Sequence, residues 1–300
     1  MRFFLPYQIA WINDESRLKI IEKSRQIGIT LADAYDSVRK VCQRRARHDV
    51  WVSSRDEAQA RLYVEDCKKV AGLLDIGAED FGEVIVDQRD KTTARVLKFK
   101  TGRRIYSLSS NPNALAGKRG HVKLDEFALH QDQRLLYQVA KPVTQWGGQL
   151  CIISTHRGSE SVFNGLIRDI RERGNPMGWS LHSVPLQTAI EQGLVERIQS
   201  KGKTNECWWT NHKSEKSRLV DGAGGGDQEA ADPASRAAFF ARLQSECIDN
   251  EQWQQEYCCV PGDDAAAFLS YEMITACEDT ELRLMSFEQL AAATTTDEHR

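Results

Sequence analysis

The chain has 300 residues, 41% apolar, 28% charged and 8% aromatic, which supplies a packed core and excludes a disordered, collagenous or disulfide-stapled chain. Its net charge of −3 is uneven, with +8 over residues 1–124 and −11 over residues 125–300; the basic half either faces a polyanion or carries unevenly charged solvated helices. No window reaches the roughly 18–20 apolar residues of a membrane span, Pro6 and Gln8 break the N-terminal apolar run, and the eight Cys include no CxxC pair. Buried thiols in a cytoplasmic protein with no membrane attachment are expected.

Short apolar and β-branched runs predict strands at Leu18–Glu22, Asp49–Ser53, Ala94–Phe99, Arg103–Leu108, His121–Asp125, Gln149–Ser154 and Ser180–Val184. Between the first two, Leu31, Ala34, Tyr35, Val38, Val41 and Cys42 recur at helical spacing. A second helix is expected from Asp56 to about Leu74, another over SESVFNGLIRDIRERG, and another from about Leu186 to Gln199. This alternation, up to about residue 185, predicts βαβ units on a mostly parallel sheet. Helical signal resumes at Ala234–Tyr257, after a Gly-rich loop expected at 221–233. The expected organisation is a core over 1–185, a helical and linker part over 186–285, and a frayed tail over 286–300.

Three motifs carry chemistry. In RLKIIEKSRQIGITLADAY a strand runs into a loop and then a helix opened by Thr30. An α/β nucleotide site puts its phosphates there, because the first helical turn offers unpaired N–H groups and a positive dipole end. Gly28 and Thr30 match the end of the phosphate-loop pattern G-x-x-x-x-G-K-[ST], but Ile29 stands where Lys belongs. Lys23 and Arg25, at the mouth of the loop, are alternative cations; an ordinary strand-to-helix turn is the competing reading. In GHVKLDEFAL a strand delivers Asp125 and Glu126 together at its end, which suits Mg²⁺ held by Asp125 and a water activated by Glu126. GQLCIISTHRG ends a strand in Ser154 and Thr155, hydroxyls able to bond a phosphate or water, or merely to cap the next helix.

In this order and spacing, over about residues 3–275, the chain resembles the ATPase domain of the large terminase subunit of tailed phages, that of Mu-like phages and prophages above all. LPYQIAWI is similar to the family's adenine-side motif, with Gln8 on the base and Tyr7 or Trp11 beside it; KSRQIGIT resembles a deviant phosphate loop in which Lys23 takes the phosphate role. DVWVSSRDEAQA resembles the segment after the second strand of terminases and helicase-like motors, NALAGKRGHVKLDEFA the Walker B region with its basic loop, and IISTHRG the coupling motif. EQWQQEYCCVPGDDAAAFLSYEMI resembles the end of the ATPase region.

The resemblance implies a P-loop NTPase fold of class α/β, a mostly parallel central sheet flanked by helices, with a small helix-rich C-terminal subdomain. It implies ATP and Mg²⁺ as cofactors, with Ser24, Gln26, Gly28 and the hydroxyls of Ser154 and Thr155 near the phosphates and Thr30 and Asp125 on the metal. Glu126 is then the catalytic carboxylate, and Arg25, Arg119 and Arg157 are candidate arginine fingers. Implied partners are double-stranded DNA, met at Gln43–Arg47 and Arg103–Arg104, the portal protein, the small terminase subunit, and further copies in a ring. Only 14 residues follow Ser286, so no nuclease is expected in this chain, and Asp263, Asp264, Glu272, Glu278 and Asp279 read as solvated charges. A helicase-like translocase and a decayed fragment without turnover are the alternatives.

Overall fold

A computed structural model describes residues 3–87, 91–109, 111–202 and 233–262. Its strands are β1 (Leu18–Lys23), β2 (Asp49–Ser53), β3 (Ala78–Asp87), β4 (Thr92–Phe99), β5 (Arg104–Leu108), β6 (Gly120–Asp125), β7 (Leu150–Ser154) and β8 (Ser180–Val184). Its helices are α1 (Pro6–Asn13), α2 (Ile29–Cys42), α3 (Glu57–Leu73), α4 (Gln133–Val143), α5 (Val162–Glu172), α6 (Leu186–Glu191), α7 (Leu194–Gly202), α8 (Pro233–Ser245) and α9 (Asn250–Tyr257).

One eight-stranded sheet runs in the order β3-β4-β5-β2-β6-β7-β1-β8. Every neighbouring pair is parallel except those made by β4, which runs against the rest. The seven expected strands form within one to two residues of their predicted bounds. The unpredicted β3 pairs with β4 at the end of the sheet; its side chains Phe81, Val84 and Ile85 are exposed, and a register shift between Asp80 and Glu83 interrupts its alternation. The expected helix from Leu186 breaks at Gly193, whose φ of +101° ends α6. The segment 234–257 divides into α8 and α9, with the Asp249 carboxylate accepting the Gln252 N–H at 2.7 Å to start α9. The loop expected at 221–233, up to residue 232, and the tail and acidic residues beyond 262 lie outside the described residues. Among the described residues no helix is long and apolar enough to cross a membrane.

The central strands are buried on both faces, as parallel strands covered by helices require. Ile21, Val50, Val52, Cys151 and Ile153 pack toward α1, α2 and α3, while Ile20, Trp51, Val122, Leu124, Leu150 and Ile152 pack toward α4 and α5. Leu186, Ala189, Leu194, Val195 and Trp253 join the first layer, so the helices after β8 complete the cover over β1.

Charges break this apolar pattern. Lys19 on β1 and Lys123 on β6 are fully buried, as are Asp33 and Asp36 on α2. Lys123 Nζ lies 2.7 Å from both Asp33 Oδ1 and Asp36 Oδ2, and Lys19 Nζ lies 3.4 Å from Asp36 Oδ2. Trp11 Nε1 and the Tyr63 hydroxyl donate to the two oxygens of Asp33 at 3.0 and 2.8 Å, and Lys19 also donates to the Trp11 carbonyl at 2.8 Å. Burial opposes charge on Asp36, but Lys123 and Lys19 hold its carboxyl well below the usual carboxylate range. The two lysines and two aspartates pair with one another, and Arg39 at 2.9 Å and Lys40 at 3.6 Å from Asp36 Oδ1 carry the network outward to Glu15; paired and hydrogen-bonded, buried charges are tolerable.

Removing one member strands the others. Lys123→Met is expected to lower the unfolding free energy by about 3–5 kcal/mol, read by urea denaturation; a loss below about 1 kcal/mol, within the range of an exposed ion pair, would contradict this account of the cluster.

Candidate functional site

The parallel strands all end at one edge, and four of those ends, in the spatial order β2, β6, β7, β1, build the site. The loop after β1 starts at Lys23 and reaches α2 through Gly28, whose φ of +76° is left-handed. No side chain caps α2 there, so the N–H groups of its first turn and its dipole face outward to a ligand. Tyr7 and Gln8 brace the loop from α1. The Tyr7 hydroxyl donates to the Ile27 carbonyl at 2.7 Å, and Gln8 Nε2 donates to the Gly28 carbonyl at 2.9 Å while its Oε1 accepts the Leu5 N–H at 2.9 Å. Both side chains are buried, and burial pushes the Tyr7 hydroxyl well above its ordinary pKa. Trp11 is fully buried, donating to Asp33. Ser24 is buried too, its N–H continuing the β1–β8 ladder to Val184 at 2.8 Å.

β6 delivers the carboxylates. Asp125 is buried and its Oδ1 has no hydrogen-bond partner. Burial, then the charge of Glu126, pushes its carboxyl up to about 7, while Lys23 opposes the rise. An orphaned buried carboxylate oxygen is costly unless a cation or donor meets it. Glu126 turns the chain with φ +51°, an uncommon conformation for a residue with a Cβ and one that concentrates at functional sites. Its Oε1 accepts from Lys23 Nζ at 2.8 Å. At the end of β7, Ser154 accepts the Ala128 N–H at 2.9 Å and so fixes the turn after Glu126.

Between these elements lies a cavity of about 310 Å³, lined by Lys23, Arg25, Gln26, Gly28, Thr30, Glu126 and Thr155. These are seven of the residues singled out in the sequence. Tyr7, Gln8, Ser24 and Ser154 stand behind the lining, holding it. Arg119 is not brought there: it precedes β6, six residues of about 3.3 Å each from the carboxylate end, with its guanidinium 5.5 Å from the Trp146 ring centre. Arg157 is exposed and does not line the cavity. Arg25 pairs with Glu256 at 3.2 Å, and its N–H donates to the Glu256 carbonyl at 2.8 Å, which ties α9 to the phosphate loop. At the other end of the sheet Arg103 Nη1 donates to the Arg47 carbonyl at 3.0 Å, so the basic run at 43–47 and the pair Arg103–Arg104 lie together, where β2 and β5 begin.

Some contributors were not singled out in the sequence. Arg55 and Gln59, which lie in the DVWVSSRDEAQA segment but were given no role of their own, and Leu129 also line the cavity; the polar turn SSRD closing an apolar strand was the available signal. Glu22, fully buried at the end of β1, accepts from the Ser183 hydroxyl at 2.6 Å and from Arg171, and meets His156 Nε2 at 2.9 Å. Burial opposes its charge, but the hydrogen bonds of His156 and Ser183 hold its carboxyl below the usual range. Among the described residues no group of three or more His, Cys, Asp and Glu could hold a metal ion, so a divalent ion here needs ligand phosphate oxygens besides Asp125 and Thr30.

A Cβ at Gly28 would lie 2.8 Å from Gln8 Nε2, on a backbone that L residues rarely adopt. Gly28→Ala is therefore expected to cost roughly 1–2 kcal/mol from the left-handed backbone alone, read by urea denaturation; an unchanged midpoint would contradict the described loop.

Comparisons with known proteins bear on the fold and the family. Residues 20–276 match the family model described as terminase large subunit, T4likevirus-type, N-terminal. The chain is 32% identical over 273 residues to the Mu-like prophage FluMu protein gp28 of Haemophilus influenzae, covering 90% of this chain and 48% of that protein. It is 31% identical over 283 residues to the probable terminase, large subunit gp28 of Escherichia phage Mu, covering 91% and 46%. The chain thus spans about half the length of the curated relatives it matches. The large terminase ATPase domain of Thermus phage P74-26 has a similar fold, with TM-score 0.51 at 15% identity, over 85% of this chain and 92% of that one. A mostly parallel sheet of this order, a family match over most of the chain and two relatives above 30% identity lead to one conclusion: the chain belongs to the terminase large subunit family, in its N-terminal ATPase region.

Proposed function

We propose that this chain hydrolyses Mg·ATP in the cavity at the strand ends, as the motor part of a machine that drives double-stranded DNA into a procapsid. The observation that carries the reading is the convergence of Lys23, Thr30, Glu126 and Thr155 from three strand ends on one cavity, with Asp125, the residue before Glu126, buried behind that lining and its Oδ1 unpartnered.

The phosphates sit against the N–H groups at the start of α2, where dipole and unpaired donors favour anions. Thr30 and Asp125 hold Mg²⁺, which supplies charge neutralisation on the phosphate oxygens. Lys23 is the phosphate cation in place of the residue that is Ile29. It is paired with Glu126, so phosphates that draw Lys23 toward themselves free the Glu126 carboxylate to accept a proton from the attacking water. Thr155, beside them, is positioned to bond the terminal phosphate or that water. Tyr7, Gln8, Ser24 and Ser154 act as supports of the loops, and Arg25 and Gln26 complete the rim near the phosphates.

DNA is met along the edge where Arg47 and Arg103 lie together, through non-specific phosphate contacts of the kind a translocating motor needs. Further copies of the chain in a ring, the portal protein and the small terminase subunit complete the assembly. Because Arg119 lies far from its own cavity, any part it takes in hydrolysis is played on the cavity of a neighbouring copy.

Glu126→Gln tests the chemistry. It keeps the shape and removes the base, so turnover is expected to fall by about 10²-fold or more while ATP binding persists, read by phosphate release and by nucleotide titration. Parent-level hydrolysis by Glu126→Gln would remove Glu126 from its role.

A further inference from the structure

The cations on the β1 side of the cavity are already committed: Lys23 to Glu126 at 2.8 Å and Arg25 to Glu256 at 3.2 Å. A third cation stands on the other flank. Arg55 follows β2 and lines the same cavity, and no motif of the phosphate loop or the carboxylate strand includes it.

Its position follows from strand register. Ser53 of β2 is paired with Leu124 of β6; Arg55 lies two residues beyond the first and Glu126 two beyond the second. The two therefore leave the sheet at the same level, on strands about 4.8 Å apart. Arg55 is held by a neighbour it can leave. Its Nε and Nη2 lie 2.9 and 2.8 Å from Asp56 Oδ2, but the two side chains are 46% and 40% exposed, where an ion pair contributes little. Asp56 does not need Arg55, because its other oxygen accepts the Gln59 N–H at 2.8 Å and caps α3; a carboxylate at a helix N-terminus is stabilised there in any case.

We infer that Arg55 is a further catalytic residue of this site, its guanidinium leaving Asp56 to contact the terminal phosphate of the bound nucleoside triphosphate from the β2 side. The inference rests on the ATPase reading above. The start of α2 fixes the phosphate chain and Glu126 marks where water attacks, so a group level with Glu126 and one strand outward meets the terminal phosphate rather than the inner ones. A planar guanidinium grips phosphate oxygens through two N–H groups, and charge gathers on those oxygens as the transferred group departs.

The test compares diphosphate with triphosphate on the full chain. Arg55→Gln is expected to bind ADP within about twofold of the parent, to bind ATPγS about tenfold more weakly, and to lose about tenfold or more in kcat. Arg55→Lys keeps a point charge without the fork, so it should regain much of the ATPγS affinity and little of the kcat. Arg61→Gln, in the second turn of α3 and outside the cavity lining, should match the parent in all three measurements. Parent-like ATPγS affinity and kcat in Arg55→Gln would overturn the inference and leave the ATPase reading standing. Equal losses of ADP and ATPγS affinity would overturn it too, since they would assign Arg55 to the shape of the loop. A parent chain that binds neither nucleotide would overturn both.

Discussion

Lys123 is the side chain on which the site's geometry hangs. It sits on β6 two residues before Asp125, and its ammonium lies between Asp33 and Asp36 on α2, three and six residues after Thr30. The strand that ends in the carboxylates and the helix that follows the loop after β1 are thus joined by ion pairs whose Lys123, Asp33 and Asp36 side chains are fully buried. Such pairs contribute little net stability compared with apolar packing, but they are strict about geometry, because any shift leaves a buried charge unmet. Lys19 and Trp11 extend the same cluster to β1 and α1, and α1 in turn braces the loop through Tyr7 and Gln8. The elements that meet around the cavity are fixed to one another by polar contacts beneath them.

Above that base the site is charged but internally paired. Lys23 holds Glu126, Arg25 holds Glu256, and Glu22 is held by His156, Ser183 and Arg171. Asp125 is the exception, with one buried oxygen unmatched and a carboxyl pushed up to about 7 by burial and Glu126. The pairs reach beyond the cavity: Arg25 meets α9 at Glu256, and Gln255 of the same helix accepts the Gly158 N–H of the loop after β7 at 2.8 Å, so an anion that drew Arg25 away would alter a contact with α9.

Much of this was legible in the sequence because parallel strands buried on both faces read as apolar runs, and the polar residues of the candidate site follow where those runs end. Gly28, Thr30, Asp125, Glu126 and Thr155 follow from that rule. β3 escaped because its Phe81, Val84 and Ile85 are exposed and its register shifts, so no alternation marks it. Lys19, Lys123, Asp33 and Asp36 drew no reading from the sequence, since nothing in one dimension says that charges on two strands and a helix pair inside. Gln8 was read as a base contact, and Ser154 as a phosphate or water contact or a helix cap; that both hydrogen-bond to loop backbone depends on which way a polar group faces, which one dimension does not tell. Arg119 could have been judged from order alone, because a residue that precedes a strand lies at the opposite edge from the residues that follow it.

The uneven charge takes on a spatial meaning: the phosphate loop with Lys23 and Arg25, and the cluster of Arg47 and Arg103, occupy opposite ends of the same sheet. The function proposed for the cavity is metal-assisted hydrolysis of ATP. Its most direct test is steady-state phosphate release by the unaltered chain, with Mg²⁺ and with the metal removed by EDTA. Release that saturates with ATP, stops with EDTA and returns on adding Mg²⁺ is predicted; no release with Mg²⁺, or an equal rate after its removal, would contradict it.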